Sequence, residues 1–451
     1  MRSFTLVSAL AAACAVQAAG PAKARATTIT PITAKGNAFF VGNDRFFVRG
    51  IDYQPGGSAA NADPLADPKI CLQDIKKFAD LGVNVVRVYS TDNSLDHTEC
   101  MNALADAGIY VMLDANNPLY SINRDKPAPS YNAAYLQSVF ATIDSFIKFP
   151  NTMGFFSGNE VIHDFPNTTL SARYVKATTR DMRQYIRARG YRTALVGYSA
   201  ADVTDNRMQT AAYFNCGTDD ERSDFFAFND YSWCSSDFQT AGWGEKVKNF
   251  TDYGLPIFLS EYGCIANVRD FGEVEALMSD KMTSVYSGGL LYEYTYEANK
   301  FGIVKIPGSP KDLTGTREEM DEFAAFKKAL KNNPAPKGDS GYSPTSKAQP
   351  CPTKDAFWSV DSTLLPKIPD AAKEYMSKGA GKGPGLKGPG SQWAGSTSTG
   401  DAEPGSATGA FSNAASSSSA AVAGLLGPMD KTPFVVSAIV AAFTLLGAVA
   451  L

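Results

Sequence analysis

Short apolar runs closed by Gly, Asn, Asp or Pro recur along the chain, and between them the apolar positions shift to helical spacing. The first runs, at 38–41 and 46–53, flank Gly42-Asn43-Asp44 and read as a hairpin. The second continues as the first of eight strands, followed by runs at 83–89, 110–114, 152–160, 193–198, 224–231, 256–261 and 288–294. Ile70, Ile75, Phe78 and Leu81 predict a helix over 67–81, and further helices are expected at 95–107, 131–149, 171–188 and 316–332. Apolar runs of this kind are buried strands. Eight of them separated by helices predict an α/β chain of the (β/α)8 TIM barrel type.

In such a barrel the active site is built at the C-terminal rim. The fourth run ends in Gly158-Asn159-Glu160 and the seventh in Ser260-Glu261, so two glutamates face each other across the mouth. A single glutamate at a strand end is ordinarily a salt-bridged or solvated carboxylate. The pair, set among amide and aromatic residues, is the minimum equipment for breaking a glycosidic bond: one carboxyl protonates the leaving oxygen and the other attacks the sugar carbon. Composition narrows the chemistry further. His97 and His163 are the only histidines and form no ligand-like pair, so neither a zinc site nor a Ser-His-Asp triad is supported, and no metal or cofactor is expected. A formal net charge of -4 offers nucleic acid no basic surface.

Residues 1–19 combine Arg2, a short apolar run and Val16-Gln17-Ala18, the pattern of a cleaved secretory leader. Cys14 would leave with it, and Cys71, Cys100, Cys216, Cys234, Cys264 and Cys351 remain, an even set suited to an oxidising compartment. Six cysteines allow fifteen pairings. The barrel order brings Cys71 to Cys100 on the first two helices and Cys234 to Cys264 in adjacent loops, which leaves Cys216 with Cys351. The barrel is then expected over 20–332, with a C-terminal segment at 333–379 tethered by Cys351. The Gly/Pro/Ser/Thr-rich stretch at 380–419 reads as a disordered stalk. Small residues, a polar spacer and a terminal apolar run have the layout of a glycosylphosphatidylinositol signal over 420–451, with attachment between Asn413 and Gly424. Asn167 and Asn249 begin glycosylation sequons, expected on exposed loops. These features together predict a secreted protein on the outer face of the plasma membrane or in the cell wall.

The segments Arg49-Gly50-Ile51-Asp52-Tyr53-Gln54-Pro55, Ser121-Ile122-Asn123-Arg124, Gly158-Asn159-Glu160-Val161, Ser260-Glu261-Tyr262-Gly263 and Tyr292-Glu293-Tyr294 carry a family likeness. They resemble glycoside hydrolase clan A and, within it, the fungal lipid-anchored β-1,3-glucanosyltransferases of glycoside hydrolase family 72. The resemblance implies Glu160 as acid/base, Glu261 as nucleophile and Asn159 on the sugar 2-hydroxyl. It implies further glucan contacts at Tyr89, Asn123, Arg124, Asp202, Arg207, Tyr231 and Tyr294, with Tyr262 as another acceptor-side aromatic. The partners it implies are 1,3-β-glucan donor and acceptor chains and a membrane reached through the lipid. With no cysteine after Cys351, the chain resembles the subfamily without a cysteine-rich carbohydrate-binding module. A retaining mechanism calls for carboxyl groups about 5 to 5.5 Å apart. It also calls for a raised pKa at Glu160, expected from burial beside Phe155 and Phe156 and from the charge of Glu261. The carboxylates alone do not separate transfer to a glucan from hydrolysis by water, and a non-catalytic glucan-binding wall protein is the alternative from another class. The resemblance implies transfer.

Overall fold

The computed structural model describes residues 29–308, 312–360 and 364–402. The expected leader and the lipid-attachment signal lie outside the described residues. Eight strands close into a parallel barrel in chain order: β1 Val48–Asp52, β2 Val85–Val88, β3 Tyr110–Asp114 and β4 Thr152–Asn159, then β5 Leu195–Ala201, β6 Phe225–Asp230, β7 Ile257–Tyr262 and β8 Tyr286–Leu291. The main helices of the surrounding layer are α1 Pro68–Leu81, α2 Thr98–Asp106, α3 Ala133–Phe146, α4 Ala172–Ala188, α5 Arg207–Phe214, α6 Trp243–Phe250, α7 Gly272–Leu277 and α8 Asp321–Asn332. Local signals set their ends. At α1, the Asp67 side chain accepts from the Lys69 amide, Pro68 takes the first turn, and Gly82 closes the helix at a φ of 79°.

Two apolar cores result. One lies between strands and helices and includes Phe78, Leu104, Phe140, Val175 and Phe226. The other fills the barrel, with Val48, Val85, Met112, Phe156, Phe225, Phe258 and Leu290. An antiparallel ribbon, Ile32–Lys35 with Ala38–Val41 and Asp44–Phe46, joins this second core. Its Phe39 ring stands edge-on to Phe258 at 5.7 Å and Phe225 at 6.4 Å, so the barrel is stoppered at its N-terminal end. Burying a side chain of that size contributes about 1.5–3 kcal/mol. The open end is therefore the C-terminal rim.

Disulfides join Cys71 to Cys100, Cys216 to Cys351 and Cys234 to Cys264, the set expected from the order of elements. The segment after α8 runs back over the helices, burying Trp358 against Tyr213 at 5.3 Å between ring centroids. The expected stalk is overturned over its described part, and 403–419 lies outside the described residues. Residues 380–402 do not form a disordered stalk but lie on the barrel: Asp401–Ala402 pairs with Leu365–Pro366, and the Gly385 amide donates to Asn93 Oδ1 at 2.9 Å. Glycine was read there as a source of flexibility, whereas it serves close approach. A Cβ on Gly383 would meet Asn93 Oδ1 at 2.1 Å, and one on Gly388 would meet Tyr120 Oη at 2.0 Å. Of the sequon residues, Asn167 is exposed in a short turn of 3-10 helix, and Asn249 is exposed in the last turn of α6 rather than in a loop. Among the described residues no helix is long and apolar enough to cross a membrane.

Candidate active site

Strand alternation builds a polar layer on top of the apolar barrel core. On β1, β2, β3, β5 and β6 the inward positions run from Val48, Val85, Met112, Leu195 and Phe225 to Asp52, Arg87, Asp114, Ser199 and Asn229. The two strands that carry the glutamates depart from this alternation. On β4, Phe155 packs outside and Phe156 inside, so strict alternation would send Asn159 outward. The β4–β5 ladder slips between Phe156 and Asn159 and turns Asn159 inward. Its Oδ1 there accepts from Arg87 Nη2 at 3.0 Å, Ser199 Oγ at 2.7 Å and Asn229 Nδ2 at 3.1 Å. With its oxygen engaged three times, Asn159 also lines the cavity at the mouth. On β7 the ladder to β6 slips between Leu259 and Glu261, and Glu261 likewise turns in.

Glu261 is held by three donors. Tyr89 Oη reaches Oε1 at 2.8 Å, Tyr231 Oη reaches Oε2 at 2.6 Å, and Arg87 Nη1 lies 3.3 Å from Oε1. Burial pushes the carboxyl up to about 7, against the pull of Arg87 and with the charge of Glu160 adding to it; the two tyrosine hydroxyls favour the ionised form. Arg87 is also bidentate on Asp114, at 2.9 and 3.2 Å. Burial works against its charge, but Asp114, Tyr89, Glu261 and Asp52 around it hold the guanidinium well above its ordinary value. Asp52, opposite Arg87 in the β1–β2 register, is fully buried, and neither of its carboxyl oxygens has a hydrogen-bond partner among the described residues. Burial, reinforced by Glu261 and Glu293, pushes Asp52 well up despite Arg87.

Glu160 follows β4 with a φ of 47°, a left-handed turn that few side chains adopt and that aims it over the mouth. Its amide donates to the Ser199 carbonyl at 2.9 Å and its Oε1 accepts from Asn229 Nδ2 at 2.9 Å. The expected burial beside Phe155 and Phe156 does not occur. Both rings are fully buried, one in each core, while Glu160 is only partly buried at the rim. Tyr292 stands edge-on to Tyr89 at 6.3 Å and Tyr231 at 6.1 Å, and Phe301 to Tyr292 at 5.3 Å, so an aromatic wall borders Glu261. On the other side a cavity of about 290 Å³ is lined by Tyr89, Asp114, Ser121, Arg124 and Asn159 among others. A cavity of about 420 Å³ at the opposite barrel end is lined by Arg183, Asp219, Arg222 and Asp224, whose charges are paired with one another.

The model of the glucanosyltransferase family, glycoside hydrolase family 72, matches residues 21–333. The chain belongs to this family. Among its relatives, the 1,3-beta-glucanosyltransferase gel1 of Aspergillus fumigatus is 58% identical over 388 residues, covering 86% of this chain and 84% of that one. GAS5 of Saccharomyces cerevisiae, also named a 1,3-beta-glucanosyltransferase, is 48% identical over 376 residues, covering 81% and 76%. Among solved structures, a Saccharomyces cerevisiae Gas2p variant in complex with laminaritetraose and laminaripentaose superposes with a TM-score of 0.69 at 37% identity, covering 76% of each chain.

In this glucanosyltransferase barrel the expected site residues fall into three groups. Glu160, Glu261, Asn159, Tyr89 and Tyr231 come together as described. Arg124 joins them, its Nη2 donating to the Glu160 carbonyl at 2.5 Å. A second group stands near the site with its polar atoms engaged. Asn123 Nδ2 donates to Gln392 Oε1 at 3.0 Å while its Oδ1 caps the Asp125 and Lys126 amides. Asp202 holds Arg207 and, at 2.6 Å, Lys246, which also binds Asp230 at 2.5 Å. Two tyrosines do not reach the mouth. Tyr294 is 0% exposed and donates to Asp74 Oδ1 on α1 at 2.8 Å; Tyr262 is buried in the outer core. The reason for Tyr294 is that β8 ends at Leu291, so alternation does not carry past it, and Tyr292 takes the mouth position instead. Arg87, Asp114, Ser199, Asn229, Tyr292 and Phe301 were missed. The inward polar residues at even spacing beyond the inward apolar ones, Val85 to Arg87, Met112 to Asp114, Leu195 to Ser199 and Ala227 to Asn229, carried a signal for the first four.

Proposed function

We propose that the chain is a 1,3-β-glucanosyltransferase that works by retaining double displacement. The observation that carries this reading is the unequal holding of the two carboxyls: Arg87, Tyr89 and Tyr231 donate to Glu261, whereas among the described residues Asn229 alone donates to the carboxyl of Glu160. The three donors favour the ionised form of Glu261 that attack requires, against the burial that raises it, and the proton-donating part falls to Glu160. Glu261 attacks the anomeric carbon of a 1,3-β-glucan while Glu160 gives its proton to the departing oxygen, leaving a glycosyl ester on Glu261. Ionised Glu160 then takes the proton from a hydroxyl at the non-reducing end of a second glucan, whose oxygen displaces Glu261. One linkage is broken and one made, so the acceptor lengthens. Asn159, whose oxygen is taken by Arg87, Ser199 and Asn229, donates to the sugar 2-hydroxyl through its amide nitrogen, and Tyr292 takes the place that family likeness assigned to Tyr294. The reading extends to an exported, lipid-anchored protein at the wall, supported by the leader pattern, the paired cysteines and the apolar tail; release by phosphatidylinositol-specific phospholipase tests that part.

The test of the chemistry is product sizing after incubation with a reduced β-1,3-gluco-oligosaccharide. Products longer than the starting chain, appearing with shorter ones, are expected. Shorter products alone would make water the acceptor. Glu160→Gln is expected to abolish turnover while glucan binding persists, and unchanged turnover would remove Glu160 from the mechanism.

A further inference from the structure

A polymeric substrate is longer than a cavity of about 290 Å³, so the surface that continues the groove matters. The wall of that cavity is the loop after β3, from which Asn117, Ser121, Ile122 and Arg124 face the space. Residues 390–396 are fastened to this loop from outside. The Ser391 amide donates to the Leu119 carbonyl at 2.9 Å, and its carbonyl accepts from Asn132 Nδ2 at 2.6 Å. Gln392 accepts from Asn123 at 3.0 Å and donates to the Ser121 carbonyl at 2.8 Å. Beyond this fastening, the Ala133 amide donates to the Ser396 carbonyl at 3.3 Å. Between the two fixed flanks stands Trp393, 66% exposed. Lys126, from the same loop as Asn123 and Arg124, holds its ammonium 5.7 Å from the Trp393 ring centroid.

An indole left in water on a backbone pinned at both sides contributes little to folding, since its apolar area is mostly not removed from solvent. It is instead presented on a fixed backbone, with the Lys126 ammonium on its ring, to a flat apolar partner. A β-linked glucose ring presents such a face of axial C–H groups, with hydroxyls at its edge for the Lys126 ammonium. The path is continuous from the chemistry outward: Glu160 carbonyl, Arg124, Asn123, Gln392, Trp393. We propose that Trp393 and Lys126 form a distal sugar-binding platform on which a β-1,3-glucan chain rests after leaving the cavity. The C-terminal segment 380–402 is thus part of the groove. This rests on the glucan reading above and deepens it.

The test compares the full-length secreted chain with Trp393→Ala and Trp393→Phe on β-1,3-gluco-oligosaccharides of increasing length, read as kcat/KM. An aromatic stack of ordinary strength predicts that Trp393→Ala loses roughly three- to tenfold on long chains and nothing on the shortest chain turned over. Trp393→Phe should recover most of the loss. Equal kcat/KM at every length would overturn the platform, and so would an equal loss at every length, which is the mark of a disturbed loop. Wild-type protein that turns over no β-1,3-glucan of any length would defeat the functional reading itself, a result distinct from either.

Discussion

Replacing Arg87 by Met removes the cation at the centre of the polar layer while keeping most of its volume. Arg87 is 0% exposed, and its guanidinium binds Asp114 twice, Glu261, Asn159 and the Ser260 carbonyl. Taking one partner from a buried pair costs about 3–5 kcal/mol, because the other charge is left without compensation. The orphaned acid is chiefly Asp114, so adding Asp114→Asn should return about 1–3 kcal/mol, the penalty of an unpaired buried group. Equilibrium denaturation of the two single variants and the double variant measures this as a cycle. Activity supplies a second reading. Arg87 pulls the Glu261 carboxyl down, so its loss raises that pKa, and the carboxylate needed for attack disappears at a higher pH. The acid limb of kcat/KM should move to higher pH in Arg87→Met. A stability loss under about 1 kcal/mol, or losses that simply add in the double variant, would refute the reasoning.

Tyr231→Phe deletes a 2.6 Å donor to Glu261, which also raises that carboxyl, so the acid limb of kcat/KM should shift to higher pH. Tyr292→Phe and Tyr294→Phe should separate: the first loses a hydroxyl in the mouth and affects KM, whereas the second strips a partner from buried Asp74, costing about 1–3 kcal/mol of stability with KM unchanged. Serine at Cys216 and Cys351 opens a closure spanning 135 residues and should cost about 2–4 kcal/mol, measured by denaturation. Asp52 is raised by burial, so its protonated form is the folded one; the stability it supports is complete below its unfolded pKa and declines as pH rises toward the folded value. Asp52→Asn should therefore unfold at a higher temperature than wild type near neutral pH, with the difference shrinking as pH is lowered; a constant difference would contradict this.

The sequence by itself determined the succession of strands and helices, the closed barrel, the two glutamates at one rim and all three disulfides. These follow from local periodicity and from chain order, and neither needs knowledge of a neighbour's register. Tertiary structure decided which side chains enter the mouth. Asn159 and Glu261 face inward only because the ladders beside them slip, and a slip belongs to two strands at once, not to the pattern of either. Tyr292 and Tyr294 share one parity in the sequence, yet the end of β8 at Leu291 sends one to the site and the other against Asp74. Residues 380–402 have the composition of a flexible linker, and composition does not distinguish glycine that permits motion from glycine that permits contact. Only the nearness of Asn93 and Tyr120 makes Gly383 and Gly388 the second kind.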